Sequence, residues 1–177
     1  LPGACDGTKI GGMGMSEPGA GTDVMGMSTS AVLSDDGTHY LLNGTKMWIT
    51  NGTTDGTNTG DVYLVYAKTG SGRSAKDVSA FLVDNTMEGF SLGQKIEDKL
   101  GMRASMTAEL VFEDVKVPLA NRIGEEGAAA LASAKAEQEV TMGHCDGTRR
   151  VLGGREGGVQ VRREQGTEES TITGTNK

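Results

Sequence analysis

Large aromatic side chains are scarce in this chain: three Phe, three Tyr and one Trp stand against 28 Gly in 177 residues. That balance argues against a helical bundle and for many short strands joined by turns. Cysteine is scarce as well. Cys5 and Cys145 lie at opposite ends of the chain and fit neither a disulfide framework nor a metal-ligand spacing, which points to a reducing compartment. Positive charge is in deficit, with 17 Lys and Arg against 24 Asp and Glu and a net charge of -7. Nucleic acid and anionic membranes both require a basic face, so neither is expected as a partner. No apolar run approaches transmembrane length and no signal or transit peptide is visible. The chain opens on Leu1 rather than Met and reads as a fragment that starts mid-protein.

What is present is a series of short strands. Residues 1–12, with Gly3, Gly7, Gly11 and Gly12, have few apolar positions and read as a trailing-in segment. Met25 to Leu33 and Thr38 to Asn43 flank Asp35-Asp36-Gly37, a hairpin signal. Asp61 to Lys68 reads as a largely buried strand, and Val78 to Val83, Phe90 to Lys95 and Met106 to Glu113 as three more. About seven strands and almost no helix precede Pro118, the pattern of a barrel or sandwich. Pro118 ends the sheet, and Glu125 to Glu139, rich in Ala, Glu, Lys and Leu, is expected to begin a helix. After Met142 the composition turns to Gly, Thr and charge, with too few large hydrophobes to support a core. The expected organisation is a mainly β domain over 1–118, a linker and helix start over 119–142, and an irregular or disordered tail over 143–177.

Two stretches carry candidate chemistry. Met13-Gly14-Met15-Ser16-Glu17-Pro18-Gly19-Ala20-Gly21-Thr22-Asp23 runs from a strand end into a turn. Pro18 fixes one dihedral, Gly19 permits positive φ, and the result is expected to be an exposed, donor-rich loop flanked by the Ser16 and Thr22 hydroxyls. The second stretch, Asn43-Gly44-Thr45-Lys46-Met47-Trp48-Ile49-Thr50-Asn51-Gly52, holds the single Trp between two Asn-Gly pairs. Asn-Gly is a strong hairpin signal, so the run between reads as one short strand with Trp48 and Thr50 on the same face. Such a strand would also suit Trp48 as a core aromatic.

Together these stretches resemble the acyl-CoA dehydrogenase family. Its middle β-domain carries Met-Ser/Thr-Glu-Pro-x-Ala-Gly-Ser/Thr-Asp followed by Asn-Gly-x-Lys-x-Trp-Ile-Thr-Asn. A third block, Lys99-Leu100-Gly101-Met102-Arg103-Ala104-Ser105 and then Glu109 to Pro118, is similar to the segment that closes that domain. The resemblance covers about residues 1–140, and its wording is nearest the isovaleryl-CoA dehydrogenases. It implies a small β-barrel-like fold and FAD as cofactor, in an oxidoreductase that dehydrogenates a short branched acyl-CoA between its α and β carbons.

By the same resemblance Met13, Met15 and Ser16 would line the flavin, Trp48 would pack on its ring, and Thr50 would hydrogen-bond near the hydride-accepting nitrogen. Gly21 and Thr22 would reach the pyrophosphate or the pantetheine arm, and Ser16, Thr22 and Arg103 are the substrate-side candidates. Arg103 equally suits a simple pairing with a carboxylate. The reaction needs a carboxylate base, for which Glu139 is the candidate in a segment distantly similar to the family's Leu-x-Leu-Glu-Arg. A solvated glutamate on a helix face fits that position too. The resemblance further implies an electron-transferring flavoprotein as acceptor and a homotetramer. It places the protein in the mitochondrial matrix of a eukaryote or the cytoplasm of a bacterium.

Family members continue past residue 142 into a four-helix bundle, which this tail does not resemble, so the chain is expected to be inactive alone. The competing expectations are a non-enzymatic β-rich ligand-binding module and an aberrant gene product. Synonymous codons from Met142 onward, read one base later, can encode an amphipathic helical string, so we expect the tail to be an out-of-frame translation. Sequencing the coding DNA tests this: a helical family segment in the shifted frame is the expected outcome, and unrelated codons there would refute it.

Overall fold

The computed structural model describes residues 2–128, together with the backbone of residues 149–153 and 159–163. The chain divides into one compact unit over Leu1–Ala132 and a second over Ser133–Lys177. In the second unit, β9 (Arg149–Gly153) and β10 (Val159–Arg163) pair as an antiparallel hairpin.

The first unit is built almost wholly of strands. A four-residue helix, α1 (Pro2–Cys5), precedes β1 (Gly11–Gly14), β2 (Ser30–Leu33), β3 (His39–Thr50), β4 (Val62–Lys68), β5 (Val78–Asp84), β6 (Phe90–Lys95), β7 (Thr107–Pro118) and β8 (Arg122–Ile123). These form one eight-stranded sheet in the order β6-β7-β3-β2-β4-β5-β8, with β1 added parallel to β4. The fold is the mainly β arrangement anticipated, although two of the expected strands are joined in β3 and β1 is an addition to them.

The sheet folds over a main core. Tyr40, Leu42 and Ile49 of β3 and Leu110, Phe112, Val115 and Val117 of β7 pack against Tyr63, Val65 and Ala67 of β4 and Phe81 and Val83 of β5. Tyr40 and Phe81 meet edge-on with ring centroids 5.0 Å apart, a favoured aromatic arrangement. Side chains alternate across a strand, so Tyr66 of β4 and Val78 and Ala80 of β5 point the other way. They form a second cluster with Ala20 and Met27, and partly buried Leu64 of β4 and Met15, Val24 and Met25 pack against it. Residues 15–27 thus cover the outer face of β4 and β5.

Strand β3 departs from the expected short strand. The hairpin turn over Ser34 to Gly37 is as anticipated, with the Gly37 N–H donating to the Ser34 carbonyl. The chain does not turn again at Asn43-Gly44, however. It runs straight through for twelve residues. Opposite this point β7 holds one extra residue, since Leu42 pairs with Val115 while Gly44 pairs with Phe112. The extra residue is accommodated by Asp114, whose φ is +50°. The Asn43 amide clasps this bulge: its Nδ2 donates to Asp114 Oδ1 and its Oδ1 accepts from the Asp114 N–H, each at 2.9 Å. Further along, the imbalance reverses. Lys46 pairs with Leu110 but Ile49 with Ala108, so the extra residue is now in β3, where Trp48 has φ +59°. The two bulges cancel, and the strand ends stay paired through to Thr50 and Thr107.

Residues 1–12 are also more than a lead-in, because Gly11 and Gly12 belong to β1 and pair with Val62 and Tyr63. The expected helix over Glu125 to Glu139 is described only as far as a turn, with the Ala128 N–H donating to the Glu125 carbonyl, and the rest lies outside the described residues. No helix among the described residues is long and apolar enough to cross a membrane.

Gly44 serves a close approach rather than a turn. Its φ is +141°, and a Cβ there would lie 2.7 Å from the Thr29 Cα. Gly44→Ala is therefore expected to destabilise the domain by at least about 2 kcal/mol, measured by urea unfolding. A change below about 0.5 kcal/mol would mean that the backbone at Thr29 yields freely.

Candidate functional site

The bulge in β3 lies in the wall of a surface groove. Uninterrupted alternation would set Lys46, Trp48 and Thr50 on one face. With an extra residue at Met47–Trp48, Lys46 is buried while Trp48 and Thr50 are exposed, and Ile49 rejoins the core. Trp48 is 53% exposed, which excludes the reading of this residue as a core aromatic. Its indole faces a groove of about 340 Å³ whose other wall is β1 and its continuation, Met13, Met15 and Ser16. Thr50 and Asn51 complete the β3 wall.

The two walls are tied at two points and approach closely between them. The Met47 N–H donates to the Ser16 carbonyl at 2.9 Å. Asn51 Nδ2 donates to the Gly11 carbonyl at 3.0 Å. Between them β1 lies so near β3 that a Cβ on Gly12 would stand 2.7 Å from the Thr50 carbonyl oxygen. The Asn51 turn is itself fixed, since Tyr63 Oη donates to the Asn51 carbonyl at 2.7 Å and accepts from the Gly60 N–H at 2.6 Å.

Beneath the groove lies a buried ion pair. Lys46 and Glu17 are the only buried charged side chains among the described residues. Lys46 Nζ donates to Glu17 Oε1 at 2.9 Å and to the Met15 carbonyl at 3.1 Å. The carboxylate accepts further bonds from the Ser28 N–H and hydroxyl and from the Thr29 N–H. Burial alone would raise the Glu17 pKa, but the bonds from Lys46, Thr29 and Ser28 outweigh it and hold the group down at about 2. Burial pulls the Lys46 pKa down, with Glu17 opposing that shift. The expected exposed loop at Glu17-Pro18-Gly19 is thus exposed only at its tip. Glu17 and Ala20 pair backbone to backbone and are both buried, while Pro18 and Gly19 project outward. Gly19 and Gly21 do not use the positive φ open to glycine.

Of the residues singled out from sequence, Met13, Met15, Ser16, Trp48 and Thr50 meet in the groove. Gly21 and Thr22 do not line it; they lie exposed beyond the Ala20 turn, with no atom within 4 Å of a Cβ built on Gly21. Arg103 lies elsewhere, exposed in the loop after β6, with Nε donating to the Lys99 carbonyl at 2.9 Å. It lines a second hollow of about 180 Å³ with Lys95, Lys99 and Met106. The two hollows adjoin, because Asn51 on the groove rim donates its N–H to the Met106 carbonyl. Glu139 lies outside the described residues. The contributions of Lys46, Glu17 and Gly12 were not anticipated. Glu17 sits inside the first motif and Lys46 inside the second, and that placement was the available signal.

A groove with an exposed indole, thioethers from Met13 and Met15, and hydroxyls from Ser16 and Thr50 suits a flat heteroaromatic ring with polar edges. The apolar faces would stack on the ring while the hydroxyls meet its rim. No group of three or more His, Cys, Asp or Glu among the described residues is arranged to hold a metal ion.

Comparison with known proteins places this chain in a class. Residues 12–115 match the family described as acyl-CoA dehydrogenase, middle domain, and the chain belongs to that family. More particularly, it is 48% identical over 122 residues to a short-chain-specific acyl-CoA dehydrogenase of Megasphaera elsdenii, covering 69% of this chain and 30% of that protein. It is 48% identical over 128 residues to a mitochondrial isovaleryl-CoA dehydrogenase of Pongo abelii, covering 71% and 28%. Among solved structures, the acyl-CoA dehydrogenase of Bacillus anthracis complexed with FAD superposes with a TM-score of 0.67 at 38% identity, over 76% of this chain and 22% of that one. The chain thus spans about a third or less of the length of these relatives.

Removing one member of the buried pair strands the other charge. Lys46→Met alone is expected to cost about 3–5 kcal/mol in chemical denaturation, while Lys46→Met with Glu17→Gln costs markedly less. The folded pKa of Glu17 lies below its ordinary 4.5, so its contribution is present above pH 4.5 and is lost as the pH falls towards about 2. Stability of the wild type should therefore fall more steeply than that of the double variant across this window. Parallel profiles would show that Glu17 is not held as described.

Proposed function

We propose that this chain is the flavin-binding β-domain of an FAD-dependent acyl-CoA dehydrogenase, with the isoalloxazine ring held in the groove between β1 and β3. The observation that carries this reading is the exposed Trp48 facing Met13 and Met15, with Ser16 and Thr50 beside it, in a member of the middle-domain family. FAD, when bound, supplies the acceptor for hydride from the substrate's β-carbon.

The chain's own residues then have three tasks. Trp48 and the two thioethers exclude water from one ring face and fix its plane. The Ser16 and Thr50 hydroxyls donate to polar atoms on the ring edge, where their fixed dipoles stabilise negative charge. The hydrogen bonds from Met47 to Ser16 and from Asn51 to Gly11 hold both walls in place before any ligand arrives, so little ordering has to accompany binding.

The substrate under this reading is a short acyl-CoA. The names of the relatives support the short-chain and isovaleryl types, and a short branched acyl group such as isovaleryl is our choice. Glu139 is assigned as the base that removes the α-proton. Gly21 and Thr22 are assigned to the pyrophosphate or pantetheine arm, where their exposure leaves them free to meet a ligand outside the groove. Arg103 is assigned to a substrate phosphate, supported by its place in a hollow with Lys95 and Lys99. An electron-transferring flavoprotein is the acceptor, and the complete enzyme is a homotetramer of the mitochondrial matrix or the bacterial cytoplasm. Because the domain holds one ring face only, this chain alone is expected to bind flavin weakly and to lack turnover.

Titration of the protein with FAD, followed by quenching of flavin and Trp48 fluorescence, tests the reading. Saturable quenching is expected, weakened roughly tenfold or more in a Trp48→Ala, Thr50→Ala variant when followed by flavin emission. Absence of binding at high micromolar FAD, in protein shown to be folded by circular dichroism, would overturn flavin binding by this chain.

A further inference from the structure

A surface groove needs no buried charge to form, yet the only buried ion pair among the described residues lies directly beneath this one. Desolvating two charges is costly, and apolar side chains of the same volume are often at least as stabilising. The pair therefore calls for an explanation other than stability. Its bonding suggests one.

Lys46 is the last residue of β3 before the bulge, and the stem of its side chain passes Gly14 of β1. A Cβ on Gly14 would lie 3.2 Å from Lys46 Cγ. From there the ammonium holds the Met15 carbonyl and the Glu17 carboxylate. Glu17 in turn grips the Ser28 and Thr29 amides. Met15 and Ser16 form one wall of the groove, and Trp48, two residues beyond Lys46, forms the other. Trp48 sits at φ +59°, a conformation a bulky residue does not adopt unless its surroundings impose it. On its C-terminal side Ile49 is buried, and the Asn51 N–H is bonded to Met106. On its N-terminal side the fixed points are the Met47 N–H on Ser16 and Lys46 itself.

We infer that Lys46 and Glu17 are positioning residues: their buried pair sets the separation between the Met15–Ser16 wall and the Trp48 bulge, and so the width of the ring-binding groove. Apolar packing would tolerate sliding of one wall past the other. A charge-assisted bond of fixed length, satisfied on every side, does not. The pair thus trades stability for a defined gap. In its flavin-binding consequence this inference rests on the reading given above.

The test uses Lys46→Met with Glu17→Gln, which removes both charges at near-constant volume and avoids stranding either one. Three readouts are compared with wild type: amide hydrogen exchange at Met47 and at the core residues Phe81 and Val83, the near-ultraviolet circular dichroism of the single indole, and FAD affinity. The expected result is exchange at Met47 at least 30-fold faster with Phe81 and Val83 altered less than threefold. The Trp48 signal should also be diminished, and any FAD affinity reduced at least tenfold. Unchanged protection at Met47 would overturn the inference, as would a loss shared equally by Phe81 and Val83, since that is what a purely structural pair would give. The exchange and dichroism measurements need no flavin. A wild type that fails to bind FAD while Met47 alone loosens in the variant would refute the flavin reading and uphold the positioning role.

Discussion

The pairing of β3 with β7 has to satisfy two demands that a regular ladder cannot meet together. Its inner side must present an unbroken apolar surface to β4 and β5, and its outer side must offer a large aromatic to solvent. Regular alternation ties the two sides rigidly to each other. The domain escapes this by inserting one residue in β7 at Asp114 and one in β3 at Trp48. Each insertion turns its own strand by half a period, so Leu42 and Ile49 both reach the core although they differ in parity. Since the shifts have opposite sign, the strands leave the sheet in the register at which they entered.

The cost of that solution is concentrated at two non-glycine residues held at positive φ, and each is secured differently. Asp114 is exposed, and the neutral Asn43 amide suffices to clasp it from across the ladder. Trp48 carries a bulky ring over an open groove and receives no such local clasp. It is held indirectly, by Lys46 below and by the Ser16 and Met106 carbonyls on either side. A neutral clasp thus serves at the surface, while a fully satisfied ion pair serves in the interior, where the absence of competing water makes charge-assisted bonds effective.

Much of the fold could be read from residue order. The strands at Val62–Lys68 and Val78–Asp84 announce themselves by β-branched and aromatic residues, and that at Phe90–Lys95 by the turn residues before it; all three fall within a residue or so of expectation. The Asp36-Gly37 turn was legible for the same reason. Asn43-Gly44 was not, because the features that make Asn-Gly a turn, positive φ at Gly and a hydrogen-bonding Asn side chain, are also what a bulge and a close crossing require. The partner that decides between them, Asp114, is 71 residues away in sequence. Likewise a lysine between Thr45 and Met47 reads as a solvated strand position, and only the distant Glu17 makes it an interior one. The groove residues Trp48 and Thr50 were legible because alternation is regular from Trp48 onward, with Ile49 buried between them.

The bulge at Met47–Trp48 makes the ring-binding wall a matter of chain length as much as of residue type. Removing one residue there would leave every apolar and polar side chain of β3 in the sequence, yet it would exchange the two sides of all that follows. Ile49 would pass to solvent and its exposed neighbours to the core. A scan of substitutions along this strand would grade each residue separately and never register the insertion on which their sidedness depends. For this segment, the spacing between landmarks carries information that no single position holds.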